Sequence, residues 1–187
     1  MRMRSEIERS RGPGIRVETF LPHHVNEVMA LEKHCGLEVW RSQDYVNMLI
    51  GDPGFHGLIA FLEDESNRGS GFASKSAKII AFIAGRIFPP DVEIYKLAVE
   101  LRHQRQGIGS LVMGQFLEMA RVRGASQCYL EVRESNAGAI AFYRFHGFTE
   151  HRRRQWYYKD PPEHALVMVR RGSVPPCVVS ADTGDRH

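Results

Sequence analysis

The segment with the clearest chemical potential is Gln104-Arg105-Gln106-Gly107-Ile108-Gly109, which follows a strand-like run and precedes a helical pattern. At such a junction the first backbone N–H groups of the helix have no acceptor within the helix, and the positive end of the helix dipole lies beside them. Glycine at 107 and 109 lets a phosphate approach the backbone, and Arg105 adds a cation. The segment therefore predicts a site for a polyphosphate ligand.

Two other phosphate loops fail on local sequence. A dinucleotide-binding fingerprint needs glycine where Val112 stands, and a Walker loop needs Gly-Lys-Ser/Thr where the chain has Gly109-Ser110-Leu111. Taken alone, the two glycines could also make nothing more than a tight turn between a strand and a helix. Residues further along the chain are needed to distinguish a ligand site from a turn.

The second candidate group is the carboxylate of Glu131. Residues 128–133 alternate strictly between apolar and polar side chains, which predicts a strand with one aliphatic face. Glu131 lies on the opposite face, where a carboxylate can accept a proton. Spacing alone favours an ordinary ion pair with Arg133 or Arg144 over a proton acceptor.

The elements that must position these groups follow from hydrophobic periodicity, which predicts the order β α α β β β α β α β β. Pro22 suits the first turn of a helix, while Ser42 and Asn136 are candidate N-caps. The predicted strands are 15–20, 55–63, 78–88, 92–99, 128–133, 148–158 and 164–170, and the predicted helices are 22–35, 42–50, 107–123 and 136–145. A Ser/Gly-rich hairpin loop is expected over 64–77.

The 187 residues fit one domain, expected over 15–171, with a flexible leader at 1–14 and a disordered tail at 172–187. The net charge of +3 is too small to indicate a nucleic-acid surface. Three widely spaced cysteines, no secretory signal and no membrane-length apolar run predict reduced thiols in a soluble, cytoplasmic protein.

With its flanking residues, the loop resembles the Gln/Arg-x-x-Gly-x-Gly/Ala signature of the GNAT acetyltransferases. The stretches 130–136 and 139–143, with Gly147-Phe148, resemble the RimI branch of that superfamily, which acetylates an N-terminal alanine of a ribosomal protein. The resemblance implies an α/β fold with a central, mostly antiparallel, twisted sheet of about seven strands, a splayed strand pair and about four flanking helices.

The resemblance also implies acetyl-CoA as the co-substrate. The implied contacts are the backbone of Leu97, Ala98 and Val99, the loop residues Arg105, Gln106, Gly107, Ile108, Gly109 and Ser110, and Asn136. For the strand residues, buried side chains and backbone contacts are compatible. For Asn136, helix capping alone is the alternative to a ligand contact.

The same resemblance assigns catalytic roles to Glu131 as general base and to Tyr143 as the group that protonates the departing thiolate. Tyr157 and Tyr158 match the paired tyrosines that hold an acceptor peptide. The alternatives are an ion-paired strand carboxylate, an aromatic core residue and packing within a hairpin. A run of arginines at 152–154 is given no role, since such runs are mostly solvated strand faces.

The implied acceptor is a protein N-terminal α-amine, with alanine of a ribosomal protein as the specific case, and the protein is expected to be a monomer or weak homodimer without nucleic-acid or membrane partners. A GNAT enzyme acting on lysine or small amines shares every cofactor residue, and a non-catalytic acyl-CoA-binding module is the alternative from another class. No metal is expected, because His23-His24 lacks further ligands at suitable spacing. Cys35 is not expected to act as a nucleophile, because adjacent His34 points in a different direction on the helix and no supporting motif is present.

Overall fold

A computed structural model of the chain describes residues 14–62 and 78–172. Nearly all of the expected leader, the 64–77 loop and residues 173–187 of the expected tail lie outside the described residues. The strands are β1 Ile15–Thr19, β2 Phe55–Leu62, β3 Ile79–Phe88, β4 Asp91–Val99, β5 Gln127–Arg133, β6 Thr149–Lys159 and β7 Pro162–Arg171. The helices are α1 Val25–His34, α2 Ser42–Gly51, α3 Ile108–Val122 and α4 Ala137–Phe145, with short 3-10 turns at Pro22–His24 and Leu101–His103.

The strands form one seven-stranded sheet in the order β1-β2-β3-β4-β5-β7-β6. Every neighbouring pair is antiparallel except β4 and β5, which are parallel and joined through α3. The predicted element order and the predicted fold class, a mostly antiparallel sheet of seven strands with four helices, are both confirmed.

The parallel pair separates part of the way along its length. β4 and β5 pair only over four residues each, from Asp91 opposite Gln127 to Ile94 opposite Leu130. Beyond that point residues 96–99 pair with β3 alone, and residues 131–133 pair with β7 alone. The gap between residues 95–99 and 131–133 is called the fork below. The two strands that enclose it are the splayed strand pair that the resemblance to the GNAT acetyltransferases implied.

A bulge in β4 lies at the start of the fork. Ala84 pairs with Lys96 and Gly85 with Ile94, so Tyr95 is left without a partner in β3. A Cβ at Gly85 would overlap the Glu93 carbonyl oxygen. Glycine is therefore required where β3 approaches the bulged strand closely.

Two apolar cores lie on opposite faces of the sheet. On one face, called the α3 face, α3 and α4 contribute Ile108, Phe116 and Tyr143 to a cluster with strand residues. On the other, the α1 face, α1 and α2 contribute Val28 and Tyr45 to a second cluster. The sheet is thus the middle layer of a three-layer α/β arrangement.

The helix ends correct two expectations. Pro22 begins a 3-10 turn, and α1 itself begins only at Val25. Ser42 is the first residue of α2 and not its cap, because Arg41 occupies the cap position and binds the Asp44 carboxylate at 2.8 Å.

No helix among the described residues has the length and apolar character needed to cross a membrane.

Candidate active site

The segment 104–109 forms a turn with unusual backbone angles between the 3-10 turn and α3. Arg105 has φ 62° and Gly107 has φ 81°, and Gly107 is the N-cap of α3. In the part of the chain that the structure describes, no backbone carbonyl accepts a hydrogen bond from the N–H groups of residues 106–110. Successive free amides at a helix N-terminus form a cradle suited to a phosphate or diphosphate.

Close packing holds the first turn of α3 against α4 and β4. A Cβ at Gly109 would lie 3.3 Å from the Phe142 ring and 3.5 Å from a Val99 methyl group. Beside it, the Ser110 hydroxyl lies 3.0 Å from Nε2 of His146. Burial, and then the charge of Arg170, lowers the pKa of His146, which therefore stays neutral near pH 7. His146 is not among the site residues that the sequence predicts. Its position in the turn at Gly147 is the only sequence feature that could have indicated it.

The β4 backbone exposes alternate residues to the fork. Glu100 N–H donates to the Ile80 carbonyl at 2.8 Å, so this pair belongs to the hydrogen-bonded set of the antiparallel β3–β4 ladder. Because such pairs alternate, the peptide groups of Ala98 point towards β3, whereas those of Leu97 and Val99 point away from it. This alternation favours Leu97 and Val99 over Ala98 as direct backbone contacts for a ligand in the fork.

The side chains around the fork follow the same division. Leu97 and Val99 pack against the α3-face core, and Ala98 is buried in the α1-face core. The Val99 carbonyl already accepts hydrogen bonds from Gln104 Nε2 at 3.0 Å and from the Cys35 thiol at 3.4 Å. The Leu97 peptide and the Val99 N–H therefore remain the groups best placed to bind a ligand.

Tyr143 is a residue of α4 that packs into the core on the α3 face. The residue is only 9% exposed, and its ring contacts those of Phe142 and Phe148 at centroid distances of 5.5 and 5.8 Å. Burial, followed by the neighbouring Tyr158, raises the pKa of Tyr143. The phenol is therefore protonated at neutral pH and able to donate a proton, while its ring serves the core.

Glu131 lies on the α1 face, as the alternation of β5 predicted. One of its oxygens is ion-paired with the Arg154 guanidinium of β6, and that guanidinium stacks over the Tyr157 ring at 4.3 Å. The predicted alternative partners were wrong. Arg133 pairs instead with Glu163 at 3.1 Å, and Arg144 pairs with Glu150.

Both predicted acceptor-site tyrosines lie within the electrostatic field of Glu131. Burial, and then hydrogen bonding to Glu131, raises the pKa of Tyr157 to about 12. Burial, and then the charge of Glu131, raises the pKa of Tyr158. The Tyr158 ring also stacks under the Arg133 guanidinium at 4.1 Å. The structure therefore brings Glu131 and both tyrosines together at one end of the fork.

A second carboxylate, Glu93, was missed in the sequence. It lies opposite Tyr129 in the parallel ladder, on the same face as Glu131 and just before the strands separate. Burial, and then the charge of Glu131, raises the pKa of Glu93. Its position in a strand next to the loop was a signal, but the partner strand and register were needed to place it beside Glu131.

A buried charged cluster supports the segment between α1 and α2. Lys96 Nζ lies 2.5 Å from Glu32 Oε1, and the Tyr45 hydroxyl donates to the same oxygen at 2.6 Å. The Lys96 ammonium also donates to the Glu38 carbonyl and lies 4.3 Å from the centre of the Trp40 ring. These contacts join β4 to the α1–α2 segment, which forms the side of the fork opposite the Tyr157–Tyr158 hairpin.

Among residues 14–62 and 78–172, no three His, Cys, Asp or Glu side chains lie close enough together to hold a metal ion. Cys35 and Cys128 are both free thiols.

Asn136 caps α4 through a 3.0 Å hydrogen bond from Ala139 N–H to its side-chain oxygen, as predicted.

Known proteins resemble this chain in sequence and in structure. The sequence model of the acetyltransferase (GNAT) family matches residues 25–148. The [ribosomal protein bS18]-alanine N-acetyltransferase of Escherichia coli K12 is 33% identical over 110 residues, which cover 56% of this chain and 74% of that protein. The N-alpha-acetyltransferase RimI of Mycobacterium tuberculosis is 36% identical over 91 residues, which cover 49% of this chain and 56% of its own length.

The crystal structure of the ribosomal-protein-S18-alanine N-acetyltransferase from Escherichia coli superposes with a TM-score of 0.70 at 22% identity. That superposition covers 87% of this chain and 96% of the other. At this identity the superposition shows a shared fold.

Proposed function

Because the chain belongs to the acetyltransferase (GNAT) family, we propose that it transfers the acetyl group of acetyl-CoA to the α-amine at a protein N terminus. The observation that carries this proposal is the position of Glu131, at the open end of the fork beside Tyr157 and Tyr158. The names of the relatives support the same acceptor, with N-terminal alanine of a ribosomal protein as the specific case. Residues 15–171 would act as one catalytic domain.

The α3 face is the proposed donor side. The free amides of residues 106–110 suit the diphosphate of acetyl-CoA, with Arg105 and Ser110 beside them. Backbone groups of Leu97 and Val99 would hold the pantetheine arm where β4 is unpaired, with Ala98 between them. Asn136, which already caps α4, would contribute its side-chain amide. When bound, acetyl-CoA supplies the thioester carbonyl that the amine attacks.

On the α1 face Glu131 accepts a proton from the ammonium form of the acceptor, directly or through one water, and leaves a neutral amine. The amine nitrogen then forms a bond to the acetyl carbon as the carbon–sulfur bond breaks, and the nitrogen gives up its surplus proton to solvent. Tyr143 is the proposed proton donor to the departing sulfur, because burial keeps its hydroxyl protonated. The phenolate then regains a proton from solvent, which restores the enzyme. Tyr157 and Tyr158 would hold the acceptor backbone.

The chemistry of the acceptor favours an α-amine. A free α-amine has a pKa of about 7.7 to 8.0, against about 10.4 for a lysine side chain. Near neutral pH, deprotonating the α-amine costs roughly 1 kcal/mol, whereas lysine costs about 4 kcal/mol or more. The first of these costs is small enough for general-base catalysis by one carboxylate such as Glu131.

The proposal is tested with three acceptors offered together with acetyl-CoA. They are a peptide that begins with alanine, the same peptide with a blocked N terminus, and a blocked peptide with an internal lysine. A mass increase of one acetyl group on the first peptide alone is expected. Acetylation of only the lysine peptide would reject the N-terminal acceptor and support a lysine acetyltransferase instead.

A further inference from the structure

The α1 face of the sheet is divided into a covered part and an open part. Helices α1 and α2 pack on β2, β3 and β4. On β5 and β6 the outward side chains of this face are polar and partly exposed, and they include Glu131, Arg152 and Arg154. The β7 residues between them on this face, Ala165 and Val167, are apolar and buried. Glu131, Arg152 and Arg154 define the surface called the acceptor face below.

Strand pairing places the arginines on the same face as Glu131. Glu131 is opposite Val167 of β7, and Val167 is opposite Arg152 of β6. Arg154 pairs with Ala165, two residues along β7 on the same face. Arg153 lies between the two arginines, points to the opposite face, and pairs there with Glu134 at 2.6 Å.

Acidic and basic groups of the acceptor face lie on different strands, and the Arg154–Glu131 ion pair joins them. Glu131 and Glu93 lie at the fork, whereas Arg154 and Arg152 lie on β6 at the outer edge of the sheet. The Arg154 side chain is 43% exposed, and Arg152 is exposed without an ion-pair partner among the described residues. A chain that begins with an ammonium group and then carries a negative charge would complement this arrangement.

Resting on the function proposed above, we infer that the acceptor has an Asp or Glu side chain at its second or third residue and that Arg154 binds this carboxylate. β6 is two strands from β5, so the backbones of the two arginines lie about 10 Å from the β5 backbone at about 4.8 Å per strand. The Arg154 side chain spans this distance and reaches Glu131. An extended peptide advances about 3.3 to 3.6 Å per residue. A peptide with its amine at Glu131 therefore brings its second and third side chains within reach of Arg154 and Arg152.

Recognition of the acceptor carboxylate would also release the base. In the free protein Arg154 is bonded to Glu131 Oε1, which occupies one oxygen of the carboxylate and stabilises its charge. An acceptor carboxylate competes for the same guanidinium. Once Arg154 has turned to it, Glu131 is free to take one proton from the acceptor ammonium, and no other group is needed to balance this step.

The first measurement compares kcat/KM for three peptides that begin with alanine and carry Glu, Gln or Lys at the second position. A peptide with a blocked N terminus and an internal lysine is included to identify the acceptor amine. Wild-type protein should prefer Glu over Gln by about tenfold, the size of one charge-assisted hydrogen bond, and should use the Lys peptide least. The preference should weaken as salt is added.

The second measurement repeats the comparison in Arg154→Gln and in the matched control Arg153→Gln. Both variants remove one positive charge from β6, but only Arg154 faces Glu131. In Arg154→Gln the Glu-to-Gln ratio should fall to within about twofold. In Arg153→Gln the ratio should stay at its wild-type value.

Two results would overturn the inference in distinguishable ways. If free α-amines are acetylated with equal kcat/KM for the Glu and Gln peptides, or if Arg153→Gln removes the preference as fully as Arg154→Gln does, the role of Arg154 fails and the proposed function stands. If only the internal lysine is acetylated, the proposed function fails and this inference fails with it.

Discussion

The two faces of the sheet meet at the fork but use different physical means. On the α3 face, apolar side chains pack the core, and the groups left for a ligand are backbone amides of residues 106–110 and of β4. On the α1 face, the groups near the fork are charged side chains held in ion pairs, among them Glu131 with Arg154 and Glu32 with Lys96. A binding site made of backbone groups should keep its affinity for the donor when side chains are substituted. A site made of side chains should change its specificity for the acceptor after only a few substitutions.

The largest expected effect on stability tests the charged half of this comparison. In Lys96→Met the Glu32 carboxylate, which is fully buried, loses its cation. Leaving one member of a buried ion pair alone costs about 3–5 kcal/mol of unfolding free energy. Urea unfolding measures the loss.

The double variant Lys96→Met/Glu32→Leu is the matched control, because it removes both charges and should recover most of the lost stability. Equal stability of Lys96→Met and wild type would mean that the cluster does not support the α1–α2 segment.

The next prediction concerns the α3 face. Tyr143→Phe keeps the aromatic packing against Phe142 and Phe148 but removes the buried hydroxyl. If that hydroxyl protonates the leaving sulfur, kcat should fall about 10²-fold with an unchanged unfolding midpoint. Tyr129→Phe is the control, since the Tyr129 hydroxyl bonds Gln127 at 3.1 Å. Similar kcat values for the two variants would leave Tyr143 with a packing role only.

A smaller effect is expected from the backbone of the donor loop. Gly107 has φ 81° with open space around its Cβ position, so Gly107→Ala is strained by conformation and not by a clash. The cost of about 1 kcal/mol should raise the KM for acetyl-CoA about fivefold and leave the acceptor KM unchanged. Gly138→Ala, in α4 at an ordinary helical φ, is the control. An increase confined to the acceptor KM would contradict a donor role for the loop.

The smallest effect is a pH dependence of stability at the donor loop. Because burial lowers the pKa of His146, the folded protein binds fewer protons there than the unfolded chain does. Its contribution to stability is complete above the unfolded pKa of about 6.5 and is lost as the pH falls through the folded pKa.

Thermal unfolding of wild type and His146→Gln at about pH 7.5 and about pH 5.5 measures this contribution. Wild type should lose more of its Tm on acidification than the variant, by a few degrees at most. An identical loss of Tm in both proteins would mean that His146 does not contribute to the pH dependence of stability.

The sequence was most informative where structure is local. Periodicity located all seven strands and four helices within a few residues, and the alternation of β5 placed Glu131 on the correct face. The turn at 104–109 is also local, because its positive φ at Gly107 favours glycine. Periodicity cannot resolve the local geometry of a helix start, so it indicates Ser42 as the cap although Arg41 occupies that position.

The ion pairs near the acceptor side could not be predicted because they join distant residues. Lys96 and Glu32 are 64 positions apart, and no local pattern links them. The sequence assigns Arg154 no role, since runs of arginine are mostly solvated strand faces. The face on which Arg154 lies depends on two register shifts in β6, between Glu150 and Arg152 and between Arg154 and Tyr158. Each shift changes which side chains share a face, so simple alternation fails along this strand.

The most direct test of the central claim, that the fork separates donor binding from proton transfer, is a parallel measurement on Glu131→Gln. Its kcat with an alanine-starting peptide and its Kd for acetyl-CoA are determined on the same preparation. The account predicts a fall in kcat of about 10²- to 10³-fold with a Kd within about twofold of wild type. Unchanged turnover, or a loss of activity that follows entirely from weaker acetyl-CoA binding, would contradict it.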